Sequence, residues 1–250
     1  MIATFHLEQL IRIFVNTKSG FEVFQEISTP DKTHNLAVNQ AGDIFAVSIN
    51  LDVKIYELAE NGSYEETQLI TSTQYIQSVG LSPNSQFLFV GDNQGVSAVF
   101  ERQNGQYQYI QNVTAASPSA VEAIDFHENN KIFVAGEYSG NTRVFELENE
   151  TNTSFTETQG FFMSYKVWKA KLHENNLMLS GKKAPVVEFY ERDGNYSLTS
   201  VYDIGTEKFR VAGISEDFKT LVYTTMSRSI NVAKKAANET FEIVFTNSST

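Results

Sequence analysis

This sequence predicts an all-β fold assembled from repeated four-stranded antiparallel units, and three observations carry the prediction. First, an aromatic residue recurs as Phe14, Tyr56, Phe100, Phe145 and Tyr190, with Ala233 as a sixth, degenerate copy; the spacings are 42, 44, 45, 45 and 43. Second, another aromatic series, Phe21, Tyr64, Tyr107, Phe155, Tyr196 and Phe241, runs with the same period. Third, the residues between these markers follow one order in every copy: an alternating strand, a polar turn, an apolar run, a third strand, an Asn-Gly-type turn and a polar strand. The clearest copy is Ile76–Val113. Four antiparallel strands per roughly 43 residues, repeated around an axis, make a β-propeller blade.

The elements follow from their residues. The first strand alternates as Leu36/Val38, Val79/Leu81, Ile124/Phe126, Ala170/Leu172 and Ala212/Ile214, which places each pair on one strand face. A polar turn comes next, as in Gln40–Asp43, Pro83–Ser85, Glu128–Asn130, Glu174–Asn176 and Glu216-Asp217. The second strand is a near-continuous apolar run, as in Ile44–Val47, Phe87–Val90, Ile132–Ala135, Leu177–Leu179 and Leu221–Tyr223, the composition of a strand buried on both faces. The third strand ends on an aromatic-Glu pair in Tyr56-Glu57, Phe100-Glu101, Phe145-Glu146 and Tyr190-Glu191. Asn61-Gly62, Asn104-Gly105 and Asp193-Gly194 then supply the positive φ angles that tight hairpins need. The fourth strand is more polar, as an outer edge should be.

The first unit is different. Met1–Phe5, Leu10–Phe14 and Phe21–Phe24 match the second, third and fourth strands, and nothing matches the first. The expectation is a single propeller domain over 1–250, with blades at about 1–29, 34–70, 75–113, 120–160, 167–203 and 209–247. Five blades are full and the N-terminal one is three-stranded; either the ring closes imperfectly or the chain is a piece of a longer propeller, and the second is the expectation, because an exposed inner edge is usually covered.

Period, strand order and the [Val/Ile]-[Phe/Tyr]-Glu pattern of the third strand together resemble the WD-repeat-like propellers, across essentially the whole chain. Where that family often has Trp-Asp this chain has aromatic-Glu, and it lacks the Gly-His pair before the first strand. Asp52 and Asp92 stand where the family often places an Asp. The resemblance implies a non-enzymatic scaffold for protein–protein interaction. Gly95–Gly105 also resembles the integrin-type propeller repeat, but that family's D-x-D-x-D-G calcium loop has no counterpart here.

Composition narrows the chemistry. The chain has 250 residues, a net charge of −11 and no cysteine. The acidity disfavours nucleic acid and anionic membrane surfaces. Thiolate metal sites, disulfides and cysteine nucleophiles are excluded. No apolar run reaches the ~20 residues of a membrane helix, and the start lacks the pattern of a signal peptide; the expected location is cytoplasmic. Seven N-x-S/T sequons, most at the hairpin before the fourth strand, keep a second reading open, an extracellular propeller fragment of a membrane receptor. His127 and His173 occupy the same slot in two units, which suggests a turn role, and no H-E-x-x-H, G-x-S-x-G or phosphate-loop motif occurs. No catalytic, cofactor or metal residue is assigned; the enzymatic alternative is a lactonase-like or hydrolase propeller using carboxylates around the channel.

Departures from the repeat mark the candidate site. The connection Gly160–Trp168 holds Phe161, Phe162, Met163, Tyr165 and Trp168, whereas Thr71–Gln74 and Ala115–Ser119 are polar. Lys182 and Lys183 are expected on the same face. Eight of the 19 basic residues fall between Lys166 and Arg210. An aromatic and basic patch on an acidic chain suits a protein or peptide partner with an acidic, amphipathic segment. The alternative is that Phe161, Phe162 and Trp168 plug the gap between blades. A further position, two residues before each alternating pair, reads His34, Gln77, Glu122, Trp168 and Arg210; it is either a ligand-facing or an unconstrained one.

Overall fold

The computed structural model describes residues 2–6, 9–114, 119–148, 153–181, 185–204, 208–237 and 239–248, with side chains except at 2–6, 114, 210, 211 and 248. Among these residues there are 23 strands and no helix. They form two compact units, residues 1–121 with 147–154 and residues 122–146 with 155–250.

The first unit holds a three-stranded sheet, β1 (Ile2–His6), β2 (Leu10–Thr17) and β3 (Gly20–Ser28), paired in that order. Two four-stranded sheets follow. One is β4 (Asn35–Val38), β5 (Ile44–Ile49), β6 (Asp52–Leu58) and β7 (Tyr64–Thr71); the other is β8 (Ile76–Leu81), β9 (Phe87–Asp92), β10 (Val96–Gln103) and β11 (Gln106–Thr114). The second unit holds three more. They are β12 (Val121–Phe126) to β15 (Phe155–Phe162), with β13 (Ile132–Glu137) and β14 (Asn141–Leu147) between; β16 (Val167–His173), β17 (Asn176–Gly181), β18 (Val186–Asp193) and β19 (Asn195–Asp203); and β20 (Phe209–Ile214), β21 (Thr220–Thr225), β22 (Ser229–Lys235) and β23 (Phe241–Ser248). In every sheet, sequential strands pair antiparallel.

The apolar runs of β5 and β17 are buried on both faces because each packs against a neighbouring sheet on either side within its own unit. In β5, Ile44 and Ala46 belong to a core cluster with Ile76, Val79 and Leu88, while Phe45 and Val47 belong to another with Ile11 and Ile13. In β17, Leu177 and Leu179 pack with Val134 and Val167, and Met178 packs with Phe209 and Leu221. Asn104 and Gly105 adopt φ of 51° and 84°, the geometry the Asn-Gly turn requires.

A bulge interrupts the pairing of third and fourth strands just before the marker aromatic. Ile13 faces Gln25 but Phe14 faces Val23; Ile55 faces Gln68 but Tyr56 faces Glu66. The extra residue shifts the strand's alternation and re-aims the glutamine that follows it toward the next sheet. Gln25 donates to the carbonyl of Tyr64 (3.0 Å) and accepts from its N–H (2.7 Å). Gln68 makes the same pair of bonds with Tyr107 (2.8 and 2.7 Å), and Gln159 with Tyr196 (2.6 and 2.7 Å). Each glutamine thus clamps the backbone of the neighbouring outer strand. Arg102–Glu57 and Arg192–Glu146, both at 2.7 Å, repeat in the same way between third strands.

Gln159→Met keeps the volume but strands one donor and one acceptor of Tyr196. The expected cost is about 2 kcal/mol in urea unfolding. Gln108→Met, at an exposed position of β11, should change stability by less than about 0.5 kcal/mol. Equal effects of the two substitutions would remove the clamp as a stabilising element.

Candidate protein-interaction surface

β13 and β14 are joined by Tyr138-Ser139-Gly140, and the N–H of Gly140 donates to the carbonyl of Glu137 at 3.0 Å. The chain leaving β15 crosses this turn. The N–H of Met163 donates to the carbonyl of Gly140 at 2.9 Å. The crossing is so close that a Cβ on Gly140 would stand 2.2 Å from the Met163 carbonyl oxygen, and the φ of Gly140 is +98°. Only glycine fits both the angle and the approach.

Side chains along the crossing alternate. Phe161 turns inward, with its ring 4.7 Å from that of Tyr190 and 6.4 Å from that of Tyr196. Burial, together with a hydrogen bond to Glu188, pushes the Tyr190 phenol well above its ordinary pKa, so it stays neutral beneath the crossing. Phe162 turns outward and is 70% exposed; Met163 turns inward and is 1% exposed, packed with Val167, Leu172 and Leu177. Tyr165 and Tyr138 are exposed, and the Lys166 ammonium sits 3.3 Å from the centroid of the Tyr138 ring, a cation–π contact. Tyr138, Phe162, Tyr165 and Lys166 therefore come from the turn and from the segment laid across it.

A buried ion pair supports this surface. One Glu137 oxygen accepts from Arg143 Nη2 at 2.6 Å; the other accepts from Ser139 Oγ at 3.0 Å and Asn141 Nδ2 at 3.4 Å. Glu137 and Arg143 are both buried, and Arg143 also reaches the half-exposed Glu157 at 3.3 Å. The carboxylate is thereby bonded to both ends of the turn that carries Tyr138.

The residues singled out from sequence take different places. Phe162 and Tyr165 are on the surface; Phe161 and Met163 are packed beneath it and hold the crossing down. Trp168 is half-buried and is the residue left over by a bulge, since Val167 faces Gly181 and Lys169 faces Ser180. Gln77 and Arg210 occupy the same bulge position in β8 and β20. Three of the five variable positions thus stand at bulges, where the ladder is locally interrupted. Lys182 and Lys183 lie outside the described residues, as does the side chain of Arg210. Sequence reasoning missed Tyr138; its signal was an aromatic residue inside a turn of Glu, Ser and Gly.

The paired histidine slots join two successive turns. His127 Nδ1 accepts from the Asn129 N–H at 3.0 Å, so Nε2 carries the proton it shares with the Glu174 carbonyl at 2.6 Å. Glu128 accepts from the Glu174 N–H at 2.8 Å and lies 3.5 Å from His173. Burial pushes the Glu128 carboxyl up, but the two backbone N–H bonds and both histidines hold it below the usual carboxylate range. Among the described residues, no three His, Asp or Glu side chains are set to hold a metal ion.

No family model matches the chain, and no curated protein matches it. Solved structures do. The β-propeller domain of Myceliophteria thermophila Cps50 (Swd1) superposes with a TM-score of 0.79 at 10% identity, covering 99% of this chain and 83% of that one. A functionally unknown protein from Desulfotomaculum acetoxidans DSM 771 gives 0.77 at 13% identity, covering 97% and 77%. At such identities the likeness shows the fold alone, and that fold is an all-β propeller.

Proposed function

We propose that this chain is a non-enzymatic, WD-repeat-like propeller that binds a protein or peptide through Tyr138, Phe162, Tyr165 and Lys166. The observation that carries the reading is the outward set of three aromatic side chains and a cation on a turn braced by a buried ion pair. Phe162 gives most of its surface to solvent although its neighbours Phe161 and Met163 are packed inward. Aromatic anchors on a preorganised base are the usual high-energy centres of protein interfaces. Lys166 favours a partner with acidic residues beside its apolar ones, an acidic amphipathic segment.

Phe162→Ala combined with Tyr165→Ala should reduce partner capture at least tenfold, about 1.4 kcal/mol or more. Both side chains are exposed, so thermal unfolding should stay within about 0.5 kcal/mol of the parent chain. The measurement is quantitative affinity capture on the immobilised chain, read alongside a melting curve for each variant. Undiminished capture by the double variant would move the interface elsewhere; a large loss of stability would make these residues structural plugs.

A further inference from the structure

Away from that surface, β19, β21, β22 and β23 of the second unit line an open cavity of about 480 Å³. One wall is polar. Tyr223 faces Asn231 across β21 and β22, and Asn231 faces Thr246 across β22 and β23, so these side chains form a row on one sheet face. Thr225 Oγ1 lies 2.7 Å from both Ser227 Oγ and Ser229 Oγ; Asn231 Nδ2 donates to Ser229 Oγ at 2.9 Å, and Thr246 Oγ1 donates to Asn231 Oδ1 at 2.8 Å. Ile243, opposite Ala233, lies on that same face, and Tyr202 and Ile204, from β19 and the residue after it, add apolar surface from outside this sheet. The Tyr202 hydroxyl lies 3.4 Å from that of Tyr223.

Two features point to a ligand. Thr225 and Asn231 are 2% and 5% exposed, so polar groups of the wall are already out of bulk water. Asn231 has two N–H donors and one goes to Ser229; among the described residues no protein group takes the second. A buried donor of that kind is costly unless something accepts from it. The lining contains one carboxylate, Asp203, and no lysine or arginine, so an anion would find no counter-charge. A wholly apolar molecule would leave the Asn231 donor unpaired.

We propose that this cavity binds a single neutral sugar ring. A pyranose has the required two sides: hydroxyls that join the Thr225–Ser229–Asn231–Thr246 chain as both donors and acceptors, and a C–H face that packs against Tyr202 and Ile204. The volume falls within the range of small-molecule sites. The site is separate from the Tyr138–Phe162 surface and does not depend on its role.

Saturation-transfer NMR of the intact chain with the methyl glycosides of glucose, galactose, mannose and N-acetylglucosamine, at about 10 mM, would detect a millimolar site. Transfer to at least one glycoside is expected. Thr246→Val removes one hydroxyl at constant shape on an exposed edge and should weaken binding about tenfold. Ser229→Ala, which removes a hydroxyl of the polar row, serves as the second variant should the first not fold. A matching oligosaccharide that binds no more tightly than its methyl glycoside points to a free sugar, and tighter binding points to a glycan end. No transfer to any of the four glycosides, or equal affinity in a folded Thr246→Val or Ser229→Ala chain, overturns the proposal.

Discussion

Gly140→Ala should destabilise the chain by about 3–4 kcal/mol, a size reserved for substitutions with a specific structural cause. A side chain at φ +98° costs on the order of 1–2 kcal/mol by itself. The remainder comes from contact. The new Cβ would stand 2.2 Å from the Met163 carbonyl oxygen and 3.0 Å from that of Tyr165. Both are backbone atoms, so no side-chain rotation relieves them. The crossing segment must lift, the Met163–Gly140 hydrogen bond goes with it, and Met163 loses part of its packing. Gly194→Ala is the control: its φ is +78° and nothing lies within 4 Å of its Cβ, so only the conformational cost of about 1 kcal/mol remains. At ~2–4 °C per kcal/mol for a chain of this size, Gly140→Ala should lower Tm by about 6–16 °C. Hydrogen exchange at the Met163 amide should rise selectively. If Gly140→Ala cost no more than Gly194→Ala, the close crossing would not hold in solution. Because Phe162 and Tyr165 ride on this segment, the same substitution should also weaken partner capture.

Arg143→Met should cost about 3–5 kcal/mol, because it leaves a buried carboxylate without its cation. Glu137 is 2% exposed; of the three donors named above, the variant keeps only the Ser139 hydroxyl and the more distant Asn141 amide. The Arg143–Glu157 contact adds little to this figure, since Glu157 is well solvated and screened. The double substitution Arg143→Met with Glu137→Met removes both charges and should be markedly less damaging than the single one. Urea unfolding of the two singles and the double forms a double-mutant cycle, with an expected coupling of about 2–3 kcal/mol. A double variant no more stable than Arg143→Met would show that the pair is not what stabilises the turn. Tyr138 sits between Glu137 and Ser139, so losing the pair should also disorder one aromatic residue of the proposed surface.

Much of the propeller was legible in the residues. Period-two alternation, apolar runs and Asn-Gly turns are local signals, and β5, β9, β13 and β17 appear where the runs of isoleucine, leucine, phenylalanine and valine stand. The glutamine clamps were not legible. A glutamine in a polar outer strand reads as solvent-facing, and only the bulge at Phe24 or Thr67 turns Gln25 or Gln68 toward the next sheet. Trp168 stands out from the repeat in sequence, but its position at a bulge depends on how Val167 and Lys169 pair with Gly181 and Ser180. Tyr138 carries no such signal, because turn chemistry alone accounts for the Glu, Ser and Gly around it.

The contrast is sharpest within Gly160–Trp168. That this segment is aromatic, cationic and unlike its counterparts follows from composition and needs no coordinates. Which of its side chains face a partner does not follow, because five large residues in nine positions fit either orientation. The choice is made by the approach of Met163 to Gly140, which sets the register of the crossing and sends Phe161 and Met163 into the core and Phe162 and Tyr165 to the surface. Periodicity along a chain determines which residues share a face. Only the neighbouring sheets, through close backbone contacts, bulges and the buried Glu137–Arg143 pair, decide whether that face is buried or exposed.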